Sequence, residues 1–447
     1  MRVPSALFAL LPLLGQLTQA HHDAAPRHHQ PRSFKLEVRT PQRSDLLRLD
    51  GTMNVELVKR AVKQHHQRRQ AQAVAATRNQ TAHLNVLKRA QETEDMFHAK
   101  KARVMGRALK TGAVPVKPHA DGSWSGTVGL GPGGSQKILN LMLDTDGPRL
   151  DIFAKGSPTK CNTTYDPTKS PHAIKGASFT SRDGIARGDY YQDSVTFGGL
   201  EVANQFFRVF TNTSNGMSLE DHLLLLDEAC GFLGLGFNTI QPTLVQTLIS
   251  SHAIARPFFA VALNNKGGSV DIGTVDTRAY KGHVAWAPLA YGAKSTSWTI
   301  KTPAFTKDKQ PVANSSNLTV SFQTYFSFTM IPPWFGHQLF DDIGGSVDKE
   351  NFNFYRVRCD EIKKRTFGFI IGGQTMEVPL SSINIGPYDN DTSKCSLAII
   401  PAPDTLDEIT FGTLALESFY VVYAFARQNM GPAVGVAEAK TVPHPPY

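Results

Sequence analysis

Asp144 is the residue in this chain best placed to move protons. It closes an apolar run, Leu141-Met142-Leu143, and opens Asp144-Thr145-Asp146-Gly147-Pro148, after which residues 150–153 bring a second mostly apolar run. The triplet reads as the end of a buried strand and the Asp-Thr-Asp-Gly-Pro stretch as a tight turn. A carboxylate where a buried strand enters a turn is expensive unless it is hydrogen-bonded or used. Its chemistry would be acid–base work, taking a proton from water or returning one to a leaving group. The plainer reading is that Asp144 merely opens a turn. Other clusters carry less. His21, His22, His28 and His29 lie in a polar arm rich in Gln and Arg, where such groups are usually solvated rather than metal-binding. Cys161, Cys230, Cys359 and Cys395 include no Cys-x-x-Cys spacing, so zinc is not indicated. Four cysteines suit an oxidising compartment, with three pairings open.

The elements that must position these residues read as strands. From Trp124 onward, short apolar or alternating runs are separated by Gly, Pro, Asn and Asp clusters: 195–197 before Gly198-Gly199, 258–263 before Asn264-Asn265, and 369–371 before Gly372-Gly373. That is an all-β signature. Helical spacing is confined to a few segments, the best being 242–252 and 334–343.

The formal charge of +9 on 447 residues is unevenly spread. Residues 21–118 hold 20 Lys/Arg against 8 Asp/Glu, whereas 119–447 hold 26 against 30. A basic arm could bind nucleic acid, but a removable basic prosegment on a mildly acidic body is the reading adopted, so no nucleic-acid partner is expected. Residues 1–20 have the layout of a signal peptide: Arg2, an apolar stretch, then Thr18-Gln19-Ala20. No later stretch reaches ~18 apolar residues, so no membrane span is expected. Lys88-Arg89 and Lys100-Lys101 are dibasic sites suited to a processing protease, and 110–120, with Pro115 and Pro118, reads as a linker. Asn79, Asn162, Asn212, Asn314, Asn317 and Asn390 stand in Asn-x-Ser/Thr sequons.

Several segments from 124 to 437 together resemble the pepsin-like aspartic proteases, in the order and spacing of that family. Gly126-Thr127-Val128-Gly129 is similar to its first hairpin. Cys230-Gly231-Phe232-Leu233-Gly234-Leu235-Gly236 is similar to the apolar segment threading the first catalytic loop. Ile370-Ile371-Gly372-Gly373, Asn384-Ile385-Gly386-Pro387 and Ile409-Thr410-Phe411-Gly412 continue the likeness. The resemblance implies an all-β, bilobal fold with a deep inter-lobe cleft. The leader and basic arm read above give a signal peptide at 1–20 and a basic prosegment and linker at 21–118, and the resemblance implies an N-terminal lobe at 119–295, a C-terminal lobe at 296–437 and a tail at 438–447. It also implies a bridge between Cys359 and Cys395, leaving Cys161 and Cys230 as the remaining pair.

Hydrolysis in that family takes two carboxylates about 3 Å apart sharing one proton. By the resemblance, the first position is Asp144. Counting back from Pro332-Pro333, the second Asp-Thr-Gly falls on Gln323-Thr324-Tyr325. A neutral amide donates and accepts hydrogen bonds but is no base. No carboxylate lies between Asn314 and Asp341 to replace it. The Gly positions of the two loops are Asp146 and Tyr325, the flap tyrosine is Ser181, and its Trp partner is Asp151. The bracing threonines remain as Thr145 and Thr324. The implied protein is a secreted, glycosylated, inactive homologue, a monomer with no cofactor or metal and with a peptide or protein as the occupant of its cleft. An active endopeptidase with a degenerate dyad and a structural, wall-associated glycoprotein are the alternatives.

Overall fold

In the computed structural model the described residues are 110–119, 122–181, 184–213, 229–236, 242–264, 267–290, 297–348, 353–387, 393–403 and 407–440. The signal peptide, the histidine cluster, both dibasic sites, Asn79 and Asn390 lie outside them. The fold is all-β.

The first lobe is built from β1 (Gly112–Pro118), β2 (Trp124–Leu130), β3 (Gln136–Asp144), β4 (Leu150–Phe153), β5 (Ile174–Thr180), β6 (Ala186–Phe197), β7 (Leu200–Thr213) and β8 (Gly231–Gly234). β3 runs parallel to β8, which runs antiparallel to β4, which in turn lies parallel to β7. Covered on both faces, the last four residues of β3 and all of β4 are buried. This is why they read as continuous apolar runs and not as alternation.

The second lobe repeats this arrangement. Strand Thr319–Phe322 runs parallel to Glu408–Phe411, which pairs antiparallel with Thr329–Ile331, itself parallel to Ile399–Pro401. Asp144 ends the first strand of one motif, and Gln323 follows the first strand of the other. Aromatic contacts fill the second core: Phe322 stacks on Phe411, and Phe369 packs on both Phe411 and Phe419.

Two further features depart from the sequence reading. Residues 112–118 form β1, not a linker. Val114 and Val116 face inward while Ala113 and Pro115 face out. Pro115 is tolerated because β1 pairs with β10 (Gly267–Ile272) along 112–116 and meets β2 only at Lys117 and Pro118, leaving one flank open beside that proline. The chain's last strands, Phe419–Arg427 and Gly431–Glu438, also leave the second lobe's sheets. The first of them pairs with β9 (Phe258–Asn264), so 419–438 completes the same sheet as β9, β10 and β1.

The helical readings hold with shifted ends: Leu244–Ser250, started by a Thr243/Gln246 capping box, and Pro333–Phe340, which begins one residue earlier than read and ends three sooner. No helix among the described residues is long and apolar enough to cross a membrane.

Both disulfides are formed, Cys161–Cys230 and Cys359–Cys395. The first ties the segment after β4 to the entry of β8, where the Cys230 amide donates to the Asn140 carbonyl of β3. Reducing either bridge should destabilise by ~2–4 kcal/mol. Thermal unfolding with and without reductant, using Cys→Ala pairs to separate the two, checks this; an unchanged midpoint in a pair variant would contradict it.

Candidate functional site

Two loops meet at the floor between the lobes. Asp144 sits at the end of β3 with its carbonyl taken by the Leu235 amide at 2.8 Å. Its carboxylate oxygen Oδ1 accepts from the amides of Asp146 at 3.1 Å and Gly147 at 2.7 Å. A Cβ at position 147 would come 2.1 Å from the other carboxylate oxygen. The close backbone approach expected at the third loop position is therefore made one residue later, which lets Asp146 occupy that third position.

The second loop mirrors the first. The Gln323 amide donates to the Phe411 carbonyl at 2.9 Å, whereas at Asp144 it is the carbonyl that accepts, from Leu235. The loops are locked together by Thr145 and Thr324, which are 1% and 0% exposed. Thr145 N–H donates to Thr324 Oγ1 at 3.2 Å, and Thr324 N–H donates to Thr145 Oγ1 at 3.1 Å. The Thr145 hydroxyl in turn donates to the Phe322 carbonyl at 2.9 Å. These reciprocal bonds bring Asp144 and Gln323, one residue back on each loop, to the same floor.

The Gln323 side chain is buried, and its Nε2 has no hydrogen-bond partner among the described residues. Leaving a buried amide donor unsatisfied costs about 1–3 kcal/mol, so folding alone gives no reason for it. Tyr325 lays its ring edge-on to Phe232 of β8 at 6.2 Å, filling with an aromatic contact a position where the resemblance implies glycine.

Ser181 and Asp151 each have partners of their own. Ser181 shapes the turn between β5 and β6: its amide donates to the Ala186 carbonyl and its hydroxyl accepts from the Ala186 amide. Asp151 is 5% exposed and grips Arg208 of β7 through two of its guanidinium nitrogens, Nε at 2.7 Å and Nη2. Arg208 was missed in the sequence. Its signal was a lone charge inside Phe206-Phe207-Arg208-Val209-Phe210. Burial lowers the Arg208 pKa while Asp151 raises it, and the net shift is upward.

A family profile described as "Eukaryotic aspartyl protease" matches residues 123–437. The chain belongs to that family. Its relatives include aspergillopepsin-1 of Aspergillus clavatus, 27% identical over 67% of this chain and 75% of that protein. Rhizopuspepsin-1 of Rhizopus niveus is 28% identical over 70% and 79%. Podosporapepsin of Podospora anserina is 25% identical over 75% and 78%. The span matched by the family profile takes in both loops.

One further group has a pKa moved far from its ordinary value. His119, between β1 and β2, is partly buried, with Nε2 2.7 Å from Ser125 Oγ. Burial first and Lys117 second hold it down to about 4 from 6.5. Between those pH values the unfolded chain binds a proton at His119 that the folded chain does not. Its contribution to stability is therefore fully present above pH 6.5 and is lost as pH falls toward 4. Denaturant titrations at pH 7 and pH 4 should show a smaller drop on acidification for His119→Gln than for wild type; equal drops would contradict the assignment.

Proposed function

We propose that this is a secreted, glycosylated pepsin-like protein that holds a peptide or protein segment in its cleft without cleaving it. The observation that carries the reading is Gln323, at the position where the family's resemblance requires the second carboxylate. Asp144 keeps a well-made loop, but general acid–base hydrolysis needs a second group that shares its proton and protonates the leaving amine. Gln323 can only hydrogen-bond. Tyr325 at the third loop position, Ser181 at the flap position and Asp151 at the tryptophan position support lost chemistry on a kept scaffold.

The basic segment is a removable prosegment, cut after Arg89 or Lys101. Either cut leaves β1 in the mature protein. Asn162, Asn212 and Asn314 are exposed, as carriers of glycans must be. Intact-mass analysis of secreted material that began at His21 would remove the prosegment from this account.

The binding role is tested by passing a peptide library over the immobilised mature protein and sequencing what is retained. Retained peptides with intact backbones are expected. Retention of none would leave a surface role, and retained fragments with new termini would favour an active endopeptidase.

A further inference from the structure

We propose that Asp151 and Arg208 are positioning residues for the β5–β6 hairpin, the lid that ends in Ser181. Their ion pair presents a guanidinium face on which that hairpin is seated. Strand β5 is exposed at every residue except Phe179. This strand therefore has one inward side chain to fix it. The Phe179 ring lies 5.0 Å from the Arg208 guanidinium carbon and packs edge-on against Phe210 at 5.1 Å. The same guanidinium lies 5.0 Å from the Phe210 ring, so Arg208 packs beside both aromatic rings of this cluster. Stacking of a partly desolvated guanidinium on rings is attractive, but only while the cation stays in place.

Asp151 keeps it in place. The two residues lie opposite one another in the parallel β4–β7 pair, and the fork of Arg208 matches the carboxylate in two contacts. With side chains 8% and 16% exposed, neither charge is left to water. Arg149 approaches the same carboxylate at 4.0 Å from the solvent side. Room for the Phe179 ring is made on the partner strand by Gly188, opposite it in register, where a Cβ would come 2.7 Å from the ring. The seat thus consists of a bidentate ion pair, one aromatic anchor and one glycine. It stands on these contacts alone, whatever the cleft binds or does.

Hydrogen exchange on the full mature protein tests it. Asp151→Asn keeps the shape and removes the charge; Phe179→Ala removes the anchor at a partly exposed site and carries the test if Asp151→Asn does not accumulate as folded protein. Each is expected to speed exchange at 174–180 by about tenfold or more while amides of β3 and β8 keep their wild-type rates. Asp151→Glu, which retains the charge, should stay within about threefold of wild type in the hairpin. Unchanged hairpin exchange in Phe179→Ala would overturn the proposal. So would faster exchange spread evenly over the whole molecule, which would make the pair an ordinary stabilising contact.

Discussion

Gln323→Asp on its own is expected to leave turnover within about tenfold of background, although it restores the second carboxylate. Loss of one member of a catalytic unit commonly lowers kcat by ~10⁴-fold or more. Recovering that factor requires the whole unit in register. At the neighbouring position Tyr325 holds its ring against Phe232, in space where the resemblance implies bare backbone. Asp146 occupies the corresponding place on the first loop, and Ser181 uses its hydroxyl to tie its own turn. The combined variant Gln323→Asp, Tyr325→Gly, Asp146→Gly and Ser181→Tyr is the fair test of a dormant scaffold, with initial rates read on an acid-denatured protein. A rise of 10³-fold or more from Gln323→Asp alone would show that a single side chain separates this protein from an active protease.

Thr145→Val should destabilise the protein by roughly 2–4 kcal/mol, one of the largest effects available from a near-isosteric change. The hydroxyl accepts from the Thr324 amide and donates to the Phe322 carbonyl. Both are buried, and each loses a partner when a methyl group replaces the oxygen. A buried donor left unpaired costs about 1–3 kcal/mol. The Phe322 carbonyl retains a second donor, the Tyr423 hydroxyl at 3.3 Å, which limits the loss on that side. Thr145→Ser keeps both bonds and should cost under about 1 kcal/mol. Urea unfolding of the three proteins decides it. A valine variant within 0.5 kcal/mol of wild type would mean that the loops are held by packing and not by the threonine pair.

The contrast between what could and could not be read from the chain follows from how far each feature reaches. Asp144 was legible because an apolar run ending in Asp-Thr-Asp-Gly is local, and Thr145 and Thr324 because each sits beside a residue placed by the family's spacing. The Asp151–Arg208 pair joins residues 57 apart, and periodicity cannot say which strand will lie opposite which. Pairing of Cys161 with Cys230 was open for the same reason. The β1 strand was obscured by its prolines, since the sequence does not reveal that one flank would stay open at Pro115. The repeat between the two lobes is carried by backbone pairing: Met142 and Leu143 lie beside Phe232 and Leu233, and Ser321 and Phe322 beside Thr410 and Phe411. Different side chains satisfy the same registers, so the repeat shows in the strand order more plainly than in the residues.

The most direct test of a kept cleft with lost chemistry is a long incubation of the mature wild-type protein, beside Asp144→Asn, with an acid-denatured protein substrate from pH 2 to pH 7, counting new peptide termini by mass spectrometry. The account predicts that the two proteins are indistinguishable from each other and from buffer at every pH. Turnover by the wild type that pepstatin blocks and Asp144→Asn abolishes would contradict it and make this chain a working aspartic protease.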